Sequence, residues 1–584
     1  MNSPAGGLSS RILGLLAFVA LAAGALPWST PAADDPVIAA MQAEVTRTMD
    51  KLQLPGSPKP YFVACAIRSV RNTGATASFG SVVSSGEMRD AEVSVTVRVG
   101  DYKLDNSNFA AKQMWGGESR LDWATEAPID GDPEVIRRVI WWAVDQAYKS
   151  AVENLKRKKM VLEHRSTPPV ADDFIAAPAT TYLTTGRPQK LPPLEAVERR
   201  SRDLSKILAA TKTLVDSTVG VLASADELWY VNSEGTKIHT VDNRASVVAT
   251  ASAQADDGVN VADRIQTVVR LYDELPSPDV QKAEVARLGE RVAEMRTAPL
   301  LDDFAGPVLF EGEAAAELCA RVLPRVFGNR RQPIIEGDRG GAERDTMRHR
   351  IGRRVMTTGL NVVDDPSLKT FDGLQLFGYR EIDLEGVRPE RVQLVKNGYL
   401  KTLLTTRTPD KKLPASNGHA LSYGYDMSGT SLEADITSLL ISADNGLDET
   451  ALREKLLQAI KEQETEYGLL IRHLPHGGRR MGDEEKMLQD TVLVSCVYPD
   501  GKEKPARMVA LKGVGLGAFK EVLAAGKKMH VTSFGGRTGL SSVVCPSLLF
   551  EEGLVVKPER NLSKPPLLPS PMLAGQNAGA ASGK

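Results

Sequence analysis

The segment at residues 306–319 switches directly from strand to helix, and this switch limits the fold more than any other stretch. Its apolar part, residues 307–310, predicts a buried strand. The residues that follow, Glu-Gly-Glu-Ala-Ala-Ala-Glu-Leu-Cys, predict a helix that begins near Glu311. Because strand and helix follow each other without a long connection, we expect a mixed α+β fold.

Three carboxylates lie at the start of this predicted helix: Glu311, Glu313 and Glu317. Carboxylate oxygens are the ligands that hard cations prefer, so the trio could hold such an ion. Acidic residues also stabilise the first turn of a helix through its dipole, and we favour this structural explanation. The segment contains no histidine.

The first 33 residues predict a signal peptide. Arg11 is the only charged residue before Asp34, and an apolar run at 12–26 follows it. A membrane-spanning helix needs about 20 apolar residues, whereas a shorter run before small residues such as Ala32 and Ala33 suits cleavage. An uncleaved anchor is the alternative. We expect residues 1–33 to be removed and the mature protein to be exported, periplasmic or extracellular, with no membrane contact.

The cysteine pattern does not predict a disulfide framework. An even number of cysteines in an exported chain permits disulfides, and four cysteines allow three pairings. Cys65 and Cys496 lie in apolar, strand-like runs, which favours buried free thiols. The four cysteines are Cys65, Cys319, Cys496 and Cys545.

The first half of the chain predicts helices on an antiparallel sheet. Valines alternate with polar residues over 91–99, which predicts a strand with one buried face. Asp132 before Pro133 predicts a helix start. We expect one α+β domain over residues 34–296. Its predicted helices cover 34–56, 132–159, 194–214 and 277–296, and its predicted strands cover 60–72, 89–100, 217–223, 227–232, 236–241 and 245–254.

The second half predicts a strand-rich domain. Asn397-Gly398 between alternating apolar residues is a strong hairpin signal. A helix is predicted over 448–463, and strands over 490–498 and 506–512. We expect residues 297–560 to form a domain whose curved sheet surrounds the helix near Glu311. The Pro-, Ala- and Gly-rich residues 561–584 predict a disordered tail.

Charge gives no sign of a nucleic-acid partner, since 72 basic and 74 acidic residues leave a net charge of −2. A basic run at 156–159 could contact phosphate, but cations at a helix C-terminus are the favoured explanation. A Gly-rich stretch at 337–341 lies among arginines. It could bind an anion, although a solvated, mobile loop is favoured.

Four segments together resemble the TldD/PmbA family, the "modulator of DNA gyrase" proteins. The resemblance extends over most of 34–560 and is most specific in the C-terminal half. The segments are the strand-to-helix switch at 306–319, Ile-Asp-Leu-Glu-Gly-Val at 382–387 with the hairpin after it, Ala-Ser-Asn-Gly-His at 415–419, and Tyr-Val-Asn-Ser-Glu-Gly-Thr at 230–236.

The resemblance implies a zinc site that this chain lacks. Catalytic family members carry His-Glu-x-x-x-His on the corresponding helix and a third ligand, a cysteine followed by glycine. The alignment that the resemblance suggests places Glu311, Gly312 and Ala316 at the motif positions. No cysteine precedes a glycine here, and Cys545 precedes Pro546. The resemblance therefore implies the non-catalytic subunit type, with no cofactor expected.

Other catalytic patterns are weak. His473 and His476 are close in sequence, but Pro475 lies between them and glycines follow, which predicts a turn. A lone His-x-x-His is a poor zinc signal. Neither a Gly-x-Ser-x-Gly elbow nor a phosphate-binding loop is present in the sequence.

Two functions stay open from the sequence. The resemblance implies that paired family members take an unfolded peptide into an internal cavity. This chain could bind a peptide or unfolded polypeptide without cleaving it, as a homodimer or a heterodimer with a catalytic family member. Alternatively, it is an active peptidase with an atypical site, in which case zinc is expected. Contact with DNA gyrase is not expected of an exported protein. The candidate substrate-binding residues are Glu311, Glu313, Asn417, Gly418 and His419.

Overall fold

The computed structural model describes residues 35–110, 122–128, 130–164, 171–301, 303–336, 347–426, 429–477, 487–488, 491–508, 510–536 and 539–556. The predicted signal peptide, the predicted tail and the Gly-rich stretch at 337–341 lie outside these residues. The α-helices within them are α1 (Pro36–Lys51), α2 (Pro133–Glu163), α3 (Leu194–Leu208), α4 (Pro278–Thr297), α5 (Glu313–Val322), α6 (Pro324–Phe327) and α7 (Glu449–Glu462).

Helices α1 and α2 each begin where an aspartate precedes a proline. Asp35 Oδ1 accepts the N–H of Val37 at 2.9 Å, and Asp132 Oδ1 accepts the N–H of Glu134 at 2.9 Å. Proline suits this position because its missing N–H would have had no helical partner. The predicted helix start at Asp132 is therefore confirmed. In the described part of the chain, no helix has the length and apolar character needed to cross a bilayer.

The first half of the chain forms a seven-stranded sheet in the order β4-β2-β1-β6-β7, with β5 and β8 both pairing with β7. All pairs are antiparallel except β5 with β7, and β3 pairs instead with a strand of the second half. The strands are β1 (Pro60–Ser78), β2 (Ser81–Val99), β3 (Phe109–Ala110), β4 (Asp122–Glu126), β5 (Thr181–Leu183), β6 (Asp216–Asn232), β7 (Lys237–Gln254) and β8 (Asn260–Val269).

The strands of this sheet are longer than the sequence predicts. Predicted strands at 217–223 and 227–232 are one strand, β6, and those at 236–241 and 245–254 are one strand, β7. The hairpin of β1 and β2 extends to a turn at Phe79-Gly80, where both residues have positive φ. Residues 83–90 of β2 are exposed. Hydrophobic alternation could not reveal that half, because neither of its faces is buried.

Alternation along the strands gives the sheet two different faces. On one face, residues such as Val63 and Val221 pack in cores that include α1, α2, α3 and α4. The other face carries Ala66, Arg244 and Gln266, and it borders cavities shared with the second half of the chain. This second face therefore lies where the two halves of the molecule meet.

The second half forms a twelve-stranded mixed sheet. Its order is β15-β14-β11-β18-β25-β9-β19-β21-β22, with β24 and β23 also pairing with β25, and β20 with β23. The strands of this half are β9 (Phe304–Phe310), β10 (Ile334–Ile335), β11 (Leu360–Asp364), β12 (Thr370–Phe371), β13 (Leu374–Gln375), β14 (Val392–Lys396), β15 (Tyr399–Leu400), β16 (Ala420–Asp426), β17 (Gly429–Ala434), β18 (Ser438–Ala443), β19 (Gly468–Ile471), β20 (Met487–Leu488), β21 (Val492–Val497), β22 (Glu503–Met508), β23 (Leu511–Lys512), β24 (Val522–Gly536) and β25 (Gly539–Val555).

Strand β25 lies in the middle of this sheet. Residues 542–544 pair in parallel with β18, and residues 548–555 pair antiparallel with β9. Helix α5 packs against β24 and β25, and its alanines and Leu318 belong to the largest hydrophobic core among the described residues. The predicted fold class is confirmed: helices and a largely antiparallel sheet precede a strand-rich mixed sheet.

The predicted hairpin at Asn397-Gly398 is confirmed. Strands β14 and β15 pair on either side of it, and the φ angles of Asn397 and Gly398 are 50° and 76°. Two positive φ angles are what a tight hairpin turn requires, and Asn-Gly accepts them with little strain.

The cysteines are buried free thiols, which confirms the favoured interpretation. Burial raises the pKa of Cys65, and it raises the pKa of Cys496 to about 11. The Sγ atoms of Cys319 and Cys545 lie 3.3 Å apart, which joins α5 to β25 through two thiols.

A buried arginine joins the two halves of the chain. Arg407 Nη2 donates to Glu234 Oε1, in the turn between β6 and β7, at 2.7 Å, and its Nε donates to the Ile175 carbonyl at 2.9 Å. The backbone N–H of Arg407 donates to Glu385 at 2.6 Å, and the guanidinium lies 4.1 Å from the ring centroid of Phe174. A charge buried in this way is stable because it is paired on several sides.

Candidate functional site around helix α5

Helix α5 begins at Glu313, two residues later than predicted. Gly312 is its N-cap residue, with a φ of 64°, and the Gly312 N–H donates to Ser547 Oγ at 2.8 Å. This left-handed backbone prevents the helix from starting earlier. Glu311 and Gly312 therefore precede the helix, while Ala316 is buried within it.

Glu311 is held by two arginines at the end of β9. Its carboxylate receives Arg453 Nη2 of α7 at 3.0 Å and Arg472 Nε at 3.1 Å. Arg472 also pairs with Glu503 at 2.8 Å. Both arginines are exposed, so Glu311 belongs to a surface ion-pair network rather than to an open binding position.

Glu313 faces His476, which follows strand β19. Their Oε1 and Nε2 atoms are 3.2 Å apart, and His476 Nδ1 lies 3.1 Å from the backbone N of Gln266 in β8. Burial disfavours the imidazolium, but the hydrogen bond and charge of Glu313 outweigh burial and raise the pKa of His476. Burial likewise opposes ionisation of Glu313, yet His476 lowers the pKa of that carboxyl.

Two more histidines lie near the start of α5. His473 Nε2 is 2.8 Å from Asp263 Oδ1, and Asp263 also receives Arg291 Nε at 2.7 Å. His530 of β24 lies beside Gly312: a Cβ built on this glycine would be 3.5 Å from His530 Cε1. Burial, followed by the charge of Lys528, lowers the pKa of His530. Its buried Nε2 has no hydrogen-bond partner among the described residues.

Glu317 lies one turn further along α5. It is 3% exposed and accepts a hydrogen bond from the hydroxyl of Thr532. Burial raises the pKa of Glu317, although His476 and Thr532 act in the other direction. A buried carboxyl with a raised pKa close to an imidazole can take part in proton transfer.

These groups do not fit the zinc site that the family resemblance implies. Within the described ranges, no three His, Cys, Asp or Glu side chains converge so as to hold a metal ion. His473 is engaged by Asp263, and His476 by Glu313. The helix itself offers alanines and the thiol of Cys319 in place of imidazole nitrogens.

A cavity of about 370 Å³ opens beside the second turn of α5. It lies between the second face of the seven-stranded sheet and the α5–β24 layer. Three arginines and one carboxylate line it, with an apolar wall. These lining residues are Arg244, Arg264 and Arg321, the carboxylate Glu317, and the apolar Leu222, Val268, Phe534 and Leu540.

A larger cavity of about 530 Å³ lies on the same face of the sheet, nearer its other end. The segment at 379–384 covers it, and the ion pairs Arg68–Asp226 and Arg270–Asp242 line it. Both cavities are thus bounded by the two halves of the molecule, which is a common position for ligand sites.

The candidate residues at 417–419 lie away from α5 and are held inside the protein. His419 is fully buried, with Nε2 3.0 Å from Asp364 Oδ2. Asn417 accepts the Thr405 N–H at 2.8 Å. A side chain on Gly418, whose φ is 78°, would meet the Arg388 carbonyl oxygen at 2.5 Å. Their part in peptide binding stays a prediction, and no exposed atom of His419 supports it.

The motif at 383–387 also lies at the contact between the two halves. Asp383 accepts backbone N–H groups from Glu385, Val387 and Ala420, while burial raises its pKa to about 7. A Cβ on Gly386 would lie 2.7 Å from Thr236 Cγ2, in the other family-like segment. Two of the segments that carry the resemblance therefore meet in space and hold the halves together.

The structure brings Glu313 and Glu317 together with histidines that sequence reasoning did not connect to them. His476 and His530 lie 163 and 217 positions after Glu313 along the chain. No local spacing signals such a contact. The His-x-x-His pattern at 473 and 476 is the one sequence signal that marks this region, and its two rings contact different carboxylates.

The comparisons with known proteins agree with this architecture. The family described as PmbA/TldA metallopeptidase C-terminal domain matches residues 305–557. A metalloprotease of Methanothermobacter thermautotrophicus is 24% identical over 237 residues, which are 39% of this chain and 48% of the relative. Metalloprotease PmbA of Escherichia coli O157:H7 is 26% identical over 255 residues, 43% of this chain and 52% of the relative. The chain thus aligns with about half the length of these curated relatives.

The fold is also that of a solved structure. The crystal structure of TldE from Thermococcus kodakarensis superimposes with a TM-score of 0.53 and 15% identity, covering 89% of this chain and 100% of the other. At this identity, the likeness concerns the fold alone. It extends over both halves of the molecule.

Proposed function

Because this chain belongs to the TldD/PmbA family through its C-terminal domain, we propose that it binds a peptide or unfolded polypeptide without cleaving it. It acts either alone, as a homodimer, or as the partner of a catalytic family member.

The proposal includes export, which the predicted signal peptide supports. N-terminal sequencing of the protein from its native host is expected to begin near Ala33 or Asp34.

The observation that carries this proposal is the environment of α5. The family's catalytic helix position holds alanines here, the nearby histidines are engaged by carboxylates or stand alone, and the described residues offer no set of three metal ligands. Beside the same helix, a cavity bounded by both halves of the molecule remains available to a ligand. A site that keeps its cavity but lacks its ligand set supports binding without hydrolysis.

The second candidate function is peptidase activity at an atypical site. It is favoured by the Glu313–His476 pair and by Glu317, because an imidazole and a carboxyl that both have a raised pKa are groups that can move protons. In this function, Glu317 and His476 would exchange protons with the substrate at the rim of the cavity. If the protein is a peptidase of this kind, a His476 variant must lose peptide hydrolysis.

One experiment separates the two functions. The purified protein is incubated with a fluorescently labelled unfolded polypeptide, such as reduced and alkylated casein. Binding is followed by fluorescence anisotropy, hydrolysis by gel electrophoresis with and without a chelator, and metal content by mass spectrometry. We expect saturable binding, no new fragments and no stoichiometric zinc.

The variant His476→Ala and its control, His164→Ala at the exposed end of α2, complete the experiment. Hydrolysis that disappears in His476→Ala but not in His164→Ala would establish the peptidase function and overturn our proposal. Absence of binding in the wild-type protein would contradict both functions.

A further inference from the structure

We propose that the cavity of about 370 Å³ beside α5 binds the terminal carboxylate of a peptide whose last residue is apolar. This inference rests on the proposed peptide binding and names the part of the peptide that is recognised. It depends on an excess of guanidinium groups in the cavity and on an apolar wall beside them.

The charge of the lining is unbalanced. Arg244 from β7, Arg264 from β8 and Arg321 from α5 face one carboxylate, Glu317. Two neighbouring strands and one helix thus bring three guanidinium groups to one cavity. Carboxylates are the natural partners of such groups, because the planar guanidinium donates two parallel hydrogen bonds to the two carboxylate oxygens.

Two of these arginines have no acidic partner among the described residues. Arg264 makes one long contact, from Nη2 to Gln266 Oε1 at 3.4 Å, and its buried Nε has no partner in the described part of the chain. Arg244 forms no ion pair with any described residue. Arg321 is anchored, since it donates to the Pro475 carbonyl oxygen.

Three buried arginines of this protein are paired with carboxylates. Arg407 binds Glu234 at 2.7 Å, Arg348 binds Asp410 at 2.5 Å, and Arg507 binds Asp257 at 2.6 Å. Pairing is expected, because a buried charge without a partner is unfavourable. Arg244 and Arg264 are only half-buried and keep part of their hydration, and a bound carboxylate would supply the acidic partner that the described residues do not.

The apolar wall selects among anions. Leu222, Val268, Phe534 and Leu540 line the cavity together with the arginines. Inorganic phosphate would bring nothing to bury against them, whereas a C-terminal leucine or phenylalanine presents a carboxylate and an apolar side chain within a few ångströms. Burial of that side chain adds affinity that phosphate cannot gain.

The cavity has a firm rim. The loop after β19 is fixed to both halves of the molecule. The His473 side chain contacts Asp263, and the backbone N–H of His476 donates to the Arg264 carbonyl at 3.0 Å. The Pro475 carbonyl oxygen accepts a hydrogen bond from the Arg321 guanidinium. This loop therefore fixes the backbone from which the Arg264 side chain projects, and it holds the guanidinium of Arg321 directly. Preorganised donors lose little entropy when a ligand binds.

The test compares two ten-residue peptides that end in leucine and carry an N-terminal fluorophore, one as the free acid and the other as the C-terminal amide. Fluorescence anisotropy of the full-length protein is expected to give about tenfold tighter binding of the acid, in the range expected for charge-assisted hydrogen bonds. In Arg264→Gln and in Arg244→Gln, the acid should bind only as well as the amide.

The control is Arg453→Gln, an exposed arginine of α7 that pairs with Glu311 outside the cavity, and it should keep the tenfold preference. Thermal unfolding of each variant establishes that it is folded. Equal affinity of the wild-type protein for acid and amide would overturn the inference, as would a preference that survives in both cavity variants.

A second measurement keeps the inference testable if neither peptide binds. N-acetyl-leucine is expected to raise the thermal unfolding temperature of the wild-type protein but not of Arg264→Gln, and N-acetyl-leucine amide to raise neither. With no peptide binding, this result would contradict the proposed function while supporting the carboxylate site. Stabilisation by inorganic phosphate but not by N-acetyl-leucine would overturn the carboxylate assignment.

Discussion

At the scale of single residues, glycines with the same backbone conformation differ in what surrounds them. Gly418 has a φ of 78°, and a Cβ there would lie 2.5 Å from the Arg388 carbonyl oxygen and 2.6 Å from Pro389 Cα. Gly352 has a φ of 85°, and a Cβ there would meet nothing within 4 Å. The two positions therefore separate backbone strain from steric conflict.

We predict that Gly418→Ala lowers the free energy of unfolding by about 2–5 kcal/mol, the sum of about 1–2 for the left-handed conformation and about 1–3 for the collision. Gly352→Ala is the control and should lower it by about 1–2 kcal/mol, since only the strain applies. Urea denaturation measures both. Equal losses of unfolding free energy in the two variants would show that residues 388–389 move aside at no energetic cost.

At the scale of elements, helix α5 and the loop after β19 are linked by the Glu313–His476 ion pair. The pKa of His476 is raised above 6.5, so its contribution to stability is full below pH 6.5 and is lost as the pH rises through the folded-state value. The pKa of Glu313 is lowered below 4.5, so its contribution is full above pH 4.5 and is lost as the pH falls further. The pair is therefore strongest between about pH 4.5 and pH 6.5.

We predict that Glu313→Gln returns the pKa of His476 towards or below its ordinary value, because burial then acts without the opposing carboxylate. NMR of the histidine Cε1–H signals over pH 5–9 measures this shift, with His476→Ala assigning the signal. The substitution should lower the thermal midpoint near pH 6 and change it little at pH 9. An unchanged His476 pKa in Glu313→Gln would contradict the ion pair.

Elements with a buried stripe or a capping pair could be predicted from the sequence, and elements without them could not. Helices α1, α2, α4 and α7 and the hairpin at Asn397-Gly398 follow from periodicity, caps and turn chemistry. The sequence did not predict the exposed half of β2, the whole of β8 or the residue at which α5 begins. For α5, the alanine-rich sequence favours a helix on both sides of Gly312, and only its backbone angle fixes the boundary.

The candidate site could be predicted only in part, for a related reason. Glu313 is predicted from its place with Glu311 and Glu317 at the start of a helix, which is local information. Asn417, Gly418 and His419 are predicted from the family-like segment at 415–419 and from the polar contacts that Asn and His offer beside a glycine. Neither reveals that His419 is fully buried against Asp364. Two of the cavity arginines come from the consecutive strands β7 and β8, and the third comes from the distant helix α5, so the convergence of all three exists only in the folded chain.

At the scale of the whole molecule, the two halves are joined through buried charges. Arg407 reaches Glu234 and the Ile175 carbonyl across the junction, and Glu385 accepts the Arg407 backbone N–H. Burial raises the pKa of Glu385, while the Arg407 charge opposes that rise. Without the guanidinium, two carboxylates would remain in the junction with too few partners.

We predict that Arg407→Met lowers the free energy of unfolding by about 3–5 kcal/mol, because removing one partner of a buried ion pair leaves the other unpaired. Arg453→Met is the matched control: its exposed ion pair with Glu311 should contribute about 0–1 kcal/mol. Chemical denaturation followed by circular dichroism measures both. A loss in Arg407→Met no larger than that in the control would show that the junction does not depend on this charge.

The central position of β25 has a consequence for biosynthesis. Residues 539–555 leave the ribosome after every other strand of the twelve-stranded sheet, yet they supply one of the two hydrogen-bonded neighbours of both β18 and β9. The seven-stranded sheet, by contrast, contains long hairpins between consecutive strands, β1 with β2 and β6 with β7, although β1 also pairs with the distant β6. Translation thus delivers hairpins of the first half that can pair as they emerge, whereas the twelve-stranded sheet is completed only when its last strand has been made. Until then, β9 and β18 each lack one neighbouring strand, and these open edges are where a chaperone would bind.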